Sequence, residues 1–337
     1  MDVSTREEVA KPLGVIACLT AGFDVLGRNL WLIALPVLFD VFLWLGPRLS
    51  VAPLVQRFTA LVLAQPTSDA ATARQLTQAV QLIELFGDRF NALSLCGTLP
   101  LLNVPSLLAQ RAPEALSPLG KSYVFLVERV FAVMGWSALL IPVGLVLGFL
   151  YLNLLARRIR AARSSEEQAS GDAAGRPDVL PGSSSGLRFL RVFLFGAALV
   201  TVGAVLVPIW MMLVGTALAL APALGLMAWV TSLGLGGYLV LHLLFVVPGV
   251  VLGGHGLLRA IWESIVLIHT QFSSVIGLVV VVVVIYEGLG YVWSLPSADS
   301  WSLLVGIVGN ACVATGLTAA AFVFYQERVP RAEVRLS

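Results

Sequence analysis

The chain has 337 residues, of which 58% are hydrophobic and only 12% are charged, and its mean hydropathy is +0.92. A soluble globular protein carries about 25% charged residues. This deficit, together with a net charge of only +2, excludes a disordered chain, a nucleic-acid-binding protein with a basic face and a secreted disulfide scaffold. The sequence predicts an all-α, polytopic membrane helix bundle.

Apolar stretches long enough to cross a bilayer recur along the chain. A helix needs about 20 apolar residues to cross the hydrocarbon core. The stretch 192–258 contains no Asp, Glu, Lys or Arg and is too long for one crossing, so it predicts two antiparallel helices with a turn near 220–222. We therefore expect about six transmembrane helices, located at 29–46, at 130–156, on either side of that turn, at 272–293 and at 302–325.

The placement of charges predicts the orientation of the chain. Cytoplasmic loops are enriched in Lys and Arg close to the membrane. If the N-terminus is inside, most of the 21 Lys and Arg residues fall on the inner side, and the outer turns at 220–222 and 294–301 hold none. We expect both termini in the cytoplasm. Residues 157–186 are rich in Ser, Gly, Ala and Pro and predict a flexible cytoplasmic linker.

The outer segment 47–129 is long and half apolar. It contains two amphipathic helical patterns, followed by the apolar stretch 90–109, which Gly97, Pro100 and Pro105 interrupt. Apolar pieces of this length suit interfacial or re-entrant segments better than spans. We expect the whole segment to form a helical cap on the outer leaflet.

An amphipathic pattern before the first span returns before the fifth, within an interfacial helix expected at 255–271. Both copies have apolar residues at steps of 3, 4, 3 and 4, which is the spacing of a helix stripe; the stripes are Ile16, Leu19, Phe23, Leu26, Leu30 and Leu258, Ile261, Ile265, Ile268, Phe272. Arg259, Glu263 and His269 lie opposite the second stripe. The pattern favours a parallel duplication, although any two interfacial helices could share it.

The sequence therefore predicts three parts. Residues 1–156 hold two spans and the cap, residues 157–186 form the linker, and residues 187–337 hold four spans.

The sequence resembles a known set of membrane proteins in the runs GFDVLGRNLWLIALPVLFDVFLWLGPRLS and GLLRAIWESIVLIHTQF and in the small-residue last span. These are uncharacterised bacterial multi-pass proteins similar to the membrane domain attached to some glycerophosphodiester phosphodiesterases. The resemblance covers about a third of the chain. It implies a helical protein of the bacterial cytoplasmic (inner) membrane, and it supplies no functional residues, since no catalytic phosphodiesterase domain is present.

Two acids, a histidine and an asparagine within predicted spans are candidate functional residues. Charged groups there cost about 2.5–3.5 kcal/mol on insertion scales and are functional candidates. Asp40 lies near the middle of the first span, four residues after Pro36, and Glu287 lies in the outer half of the fifth. With His242 and Asn310 they could form a proton or cation path; the alternative is that each is bonded between helices or reaches an interface.

Small residues predict close helix contacts, because van der Waals packing drives helix association in lipid. The candidates are Gly144, Gly148, Gly249, Gly253 and Gly306. Trp31, Trp44, Trp293 and Trp301 fall at predicted span ends, as in an aromatic belt.

No catalytic or metal-binding motif is found. HExxH, SxxK, Walker A and dinucleotide fingerprints are absent from the sequence. The spacings of His255, Glu263 and His269 do not place them on one helix face at ligand distance. We therefore expect no metal and no cofactor, and the sequence gives no support for an enzyme.

Two functions remain open. The first is a non-enzymatic membrane protein that binds lipid or organises the membrane. Its expected partners are membrane lipids, with other membrane proteins or further copies of itself as alternatives, and not nucleic acid. The second is a small transporter or channel that uses Asp40 and Glu287. The large cap favours the first, because a minimal pore does not need it, and the two acids favour the second.

Overall fold

A computed structural model describes residues 12–64, 70–111, 116–169 and 185–334. The fold is a bundle of α-helices with two short sheets, each of two strands, in the described part. The helices are α1 (Val15–Gly27), α2 (Ala34–Leu45), α3 (Ala52–Leu63), α4 (Ala70–Arg89), α5 (Leu107–Arg111), α6 (Val130–Ala169), α7 (Ser185–Leu220), α8 (Pro222–Leu243), α9 (Val246–Gly253), α10 (Leu257–Thr270), α11 (Phe272–Trp293) and α12 (Leu303–Val334), with 3-10 helices at Leu30–Ile33 and Ala92–Cys96.

Within the described residues, five helical segments are long and apolar enough to cross a membrane: Val130–Ser165, Ser185–Leu218, Pro222–Gly253, Phe272–Trp293 and Leu303–Val329. The pair Val15–Gly27 and Leu30–Leu45 is bent by 92° and makes a sixth span if it is counted as one. The predicted turn near 220–222 is present, because α7 ends at Leu220 and α8 begins at Pro222. The polytopic helix bundle predicted from the sequence is confirmed.

The two predicted amphipathic helices, α1 and α10, have matching backbones. Gly14 caps the start of α1 at φ −64°, ψ 165°, and Gly256 caps α10 at φ −64°, ψ 153°. Each helix ends just before a break, at Asn29 with φ −140°, ψ 53° and at Gln271 with φ −129°, ψ 30°. Gly14 and Asn29 are separated by the same number of residues along the chain as Gly256 and Gln271. The local structure therefore agrees with a duplicated helix–break–helix unit.

The buried faces of α1 and α10 also correspond. Cys18, Leu19, Gly22, Val25 and Leu26 are buried on α1, and Ala260, Glu263, Ser264, Leu267 and Ile268 are buried on α10. The face is rotated relative to the predicted stripe, because α12 packs against both helices. One assignment is corrected: Glu263, expected on the polar side, is buried.

Helix α6 is longer than its predicted span. It continues to Ala169, so residues 157–169 are helical and the linker predicted from residue 157 does not begin there. Arg160 explains part of this extension, because its guanidinium donates to the carbonyl oxygens of Val251 and Leu252 at 2.7 and 3.2 Å. Of the rest of the predicted linker, residues 170–184 lie outside the described residues, and residues 185–186 belong to the start of α7.

The outer segment contains short strands as well as helices. β1 (Arg48–Ser50) pairs in parallel with β4 (Val124–Leu126), and β2 (Leu116–Ser117) pairs antiparallel with β3 (Gly120–Lys121). The β1–β4 pair joins the two ends of the segment. The helices α3 and α4 pack against each other, with Gly87 facing the side chain of Val55.

Residues 90–111, which we name the re-entrant segment, enter the bundle, which agrees with the re-entrant rather than the interfacial alternative for the apolar stretch 90–109. Gly144 of α6 faces the backbone of Cys96, and a side chain on Gly148 would overlap the carbonyl oxygen of Leu102. Gly148 lies close to the middle of its span. At the tip, Leu101 adopts a left-handed φ of 62°, which is unusual for leucine. Irregular backbone at membrane depth is tolerated where protein buries it, and Leu99, Leu102 and nearby residues are buried.

Candidate functional site

Asp40 is completely buried on α2 and binds the re-entrant segment. Its carboxylate accepts hydrogen bonds from the backbone N–H groups of Leu107 and Leu108, at 2.9 and 3.1 Å, and from the Ser106 hydroxyl. These N–H groups belong to the first turn of α5, where a helix supplies no partners of its own. Asp40 therefore caps α5 from a neighbouring helix.

Glu287 binds the other end of the same short helix. Its carboxylate lies 3.1 Å from the guanidinium of Arg111, and its side chain is 61% exposed. One residue earlier on α11, the Tyr286 hydroxyl donates to the side chain of Gln110 at 2.9 Å. Both sequence-predicted acids thus contact α5, Asp40 in a buried site and Glu287 at an exposed one.

His242 lies apart from the two acids, near the end of α8. Its Nδ1 is 2.8 Å from the carbonyl oxygen of Tyr238, and its ring is 5.3 Å from that of His269 on α10. Asn310 is buried on α12, and its side-chain nitrogen has no hydrogen-bond partner among the described residues. No hydrogen bond joins any two of the four candidates, all of which lie in the described part of the chain.

A groove of about 420 Å³ separates α2 from α6. Apart from the Tyr151 hydroxyl and the Trp31 indole nitrogen, its lining side chains are apolar: Trp31, Leu32, Ala34, Leu35, Leu38, Phe39, Phe42, Leu147, Tyr151 and Leu154. Trp31 and Leu38 are exposed, so the groove opens to the side of the bundle. Neither Asp40 nor Glu287 lines it.

The re-entrant segment holds the two walls of this groove apart. Gly97 lies against the ring of Phe39 on α2, while the Cys96 thiol donates to the carbonyl oxygen of Leu140 on α6 at 3.4 Å. The segment thus fills the space between α2 and α6 toward the cap. Beyond its tip the same space is left open, from Leu147 to Leu154 along α6.

An arginine and a tryptophan mark the end of the groove farthest from the cap. Leu147, Tyr151 and Leu154 line the groove at helix spacing, and Arg158 continues that stripe by one turn. The Arg158 guanidinium lies 5.3 Å from the ring centre of Trp31, in a cation–π contact. The sequence predicts Trp31 in the aromatic belt but gives no signal for Arg158, because residue 158 falls in the predicted linker, where no helical register is expected.

Glu263 forms a charged network where α10 meets α12. Its carboxylate lies 2.7 Å from His255 Nδ1, 2.8 Å from Arg259 Nε and 2.9 Å from the Tyr325 hydroxyl. Burial by itself raises the pKa of Glu263, but the hydrogen bonds from His255 and Arg259, the charge of His255 and the Tyr325 hydroxyl hold the pKa below its ordinary value of 4.5. Among the described residues, no three metal-ligand side chains form a cluster.

Two of the predicted packing glycines make room for this network. An added side chain would approach the Tyr325 hydroxyl at Gly249 and the His255 ring at Gly253, at 2.9 and 2.8 Å. Gly306 instead faces the backbone of the last residue of α11. All five predicted glycines therefore lie at close contacts, although Gly144 and Gly148 contact the re-entrant segment and Gly253 contacts the turn that follows it, rather than another spanning helix.

Several arginines gather at the end of the bundle opposite the cap. Arg191 donates to the carbonyl oxygens of Gly254 and His255 at 2.9 and 3.0 Å. Arg328 donates to the carbonyl oxygen of Leu13 at 2.6 Å. This arginine-rich end holds together the start of α1, the turn before α10 and the end of α12.

Comparison with known proteins adds no relative: no protein-family model matches the chain, and no significant match is found among curated proteins or solved structures. The function must be inferred from the geometry of the chain itself.

Proposed function

We propose that this protein is a non-enzymatic integral membrane protein that binds lipid in the groove between α2 and α6. The single observation that carries this proposal is the groove, which is apolar, open to the side and kept open by the re-entrant segment. A lateral groove between spanning helices faces hydrocarbon rather than water. An acyl chain restores the van der Waals contacts that its walls would otherwise lack.

The expected setting is the cytoplasmic membrane of a bacterium, with both termini in the cytoplasm. The arginine-rich end supports this orientation, because cytoplasmic ends of spans are enriched in basic residues. The Arg328–Leu13 hydrogen bond places the start of the described chain beside the end of α12, at that same end. The cap then lies outside. A role in organising other membrane proteins, or in self-association, is compatible with this arrangement.

Lipid retention tests the proposal. The full-length protein is purified in mild detergent and its bound phospholipid is measured by native mass spectrometry. Ala34→Trp places a large side chain in the groove, whereas Ala204→Trp makes the same change at an alanine of α7 that is also exposed but does not line the groove. We expect retained phospholipid in the wild type and in Ala204→Trp, and its loss in Ala34→Trp. Equal retention in all three proteins would reject the groove as the binding site.

A small transporter is the second candidate, and the re-entrant segment favours it. Broken backbone at membrane depth is a feature of transporter substrate sites, and the segment carries the donors that bind the buried Asp40. The test is proton flux into proteoliposomes that contain a pH-sensitive dye. A flux above that of empty liposomes, and lost in an Asp40→Asn protein that is still folded at the assay temperature, supports transport; no flux in the wild-type protein counts against it.

A further inference from the structure

The polar end of the groove indicates which lipids it prefers. The stripe of α6 that lines the groove reaches Leu154, and Arg158 follows it one turn later. The Arg158 guanidinium contacts the ring of Trp31, which lines the groove from the 3-10 helix just before α2. A lipid whose acyl chain lies against Leu35 and Leu154 therefore has its polar part beside a guanidinium. Tryptophan is commonly found at this depth, where the headgroups meet the hydrocarbon.

Arg158 is available to an anion, unlike several arginines near it. Arg160 and Arg191 donate to backbone carbonyl oxygens, and Arg157 lies 3.5 Å from the Ser185 hydroxyl. The contact of Arg158 is with an aromatic ring, and no described carboxylate is paired with it. A cation–π contact orients the guanidinium and leaves its N–H groups able to bind phosphate in a bidentate manner.

The surrounding charge favours a headgroup without a cation of its own. Arg28, three residues before Trp31, is exposed as well as Arg158. The positive side chains of Arg158 and Arg28 attract a phosphate but repel the ammonium group of a zwitterionic headgroup. Basic pockets between spanning helices on the cytoplasmic side are known to recognise anionic headgroups.

We propose that the groove between α2 and α6 selects an anionic glycerophospholipid, whose phosphate is bound by Arg158 next to Trp31. This inference rests on the proposed lipid-binding function and adds to it the class of lipid. One favourable charge near the membrane contributes about 1 kcal/mol, which corresponds to a preference of about fivefold.

The test compares phosphatidylglycerol with phosphatidylethanolamine of identical acyl chains. Native mass spectrometry measures the binding of each to the delipidated full-length protein. Arg158→Gln is the test variant, and Arg157→Gln is its matched control, since it removes the same charge from the adjacent residue on a different face of α6. We expect about fivefold preference for phosphatidylglycerol in the wild type and in Arg157→Gln. Arg158→Gln should bind both lipids about equally, and Arg158→Lys should restore part of the preference.

The outcomes separate the two proposals. Binding of both lipids without preference in the wild type, or an equal loss in the two glutamine variants, overturns the assignment to Arg158 but leaves the groove as a lipid site if Ala34→Trp still abolishes binding. No binding of either lipid to the wild type overturns both proposals. Because Arg158 is exposed, the variants are expected to fold, and their melting temperatures verify this.

Discussion

Asp40 and Glu287 lie on different helices, α2 and α11, and both bind the same short helix, α5. Asp40 accepts from the N–H groups of its first turn, and Glu287 pairs with Arg111 at its last residue. Both contacts are electrostatically favourable. The carboxylate of Asp40 meets the positive end of the helix dipole, and the carboxylate of Glu287 faces the guanidinium of Arg111. The two acids fix the returning half of the re-entrant segment between α2 and α11.

Replacement of Asp40 by asparagine is expected to destabilise the protein strongly. The amide has one oxygen in place of two, and its NH₂ group faces donors rather than acceptors. The buried N–H groups of Leu107 and Leu108 lose a charged partner, at a cost of about 2–3 kcal/mol. Thermal unfolding in detergent measures the effect. Ser106→Ala, which removes one donor and leaves the carboxylate in place, should cost less; an Asp40→Asn protein as stable as the wild type would contradict the capping role.

Replacement of Glu287 by glutamine should change stability little, although Glu287 binds the same helix. The Glu287 side chain is 61% exposed and that of Arg111 is 35% exposed, and exposed ion pairs contribute about 0–1 kcal/mol. The same unfolding assay applies, at low and high salt. A loss as large as that of Asp40→Asn would mean that this ion pair is shielded from water.

The spans were predictable because lipid makes hydropathy decisive. The predicted span at 272–293 coincides with α11, and the predicted turn at 220–222 lies between α7 and α8. In both places the pattern of a single stretch of sequence determines the structure, since a backbone in hydrocarbon must satisfy its hydrogen bonds within a helix.

The site was less predictable because its contacts join distant segments. The depth of the re-entrant segment depends on Gly144 and Gly148, which the sequence identifies as packing residues without indicating their partner. Glu263 is polar by type, and only Tyr325 and His255, brought to it by the fold, make its burial possible. The groove requires both α2 and α6 to be placed, so no local pattern predicts it.

Gly148→Ala is expected to displace the re-entrant segment. A methyl group there would overlap the carbonyl oxygen of Leu102, and overpacking of this kind costs about 1–3 kcal/mol. Gly135→Ala on the same helix is the control, since nothing lies within 4 Å of its added carbon; there the change should stabilise α6 by up to about 1 kcal/mol. Unfolding temperatures of the two variants should therefore shift in opposite directions. A shift of Gly148→Ala upward, like that of Gly135→Ala, would show that the segment does not press against α6.

The network around Glu263 should make stability fall in acid. Its pKa is held below the ordinary value of 4.5 in the folded protein, so the unfolded chain takes up a proton first as the pH falls. The contribution of the carboxylate to the free energy of unfolding is complete above about pH 4.5 and is lost as the pH falls through the lower, folded pKa.

Glu263→Gln removes the charge that His255, Arg259 and Tyr325 bind, and should lower the free energy of unfolding by about 2–4 kcal/mol at pH 7. As the pH falls below about 4.5, the difference in melting temperature between the wild type and Glu263→Gln should shrink, and it should vanish only below the lower, folded pKa, where the wild-type carboxyl group is neutral as well. A difference that stays constant from about pH 7 to 3.5 would show that the charge of Glu263 is not what stabilises the contact between α10 and α12.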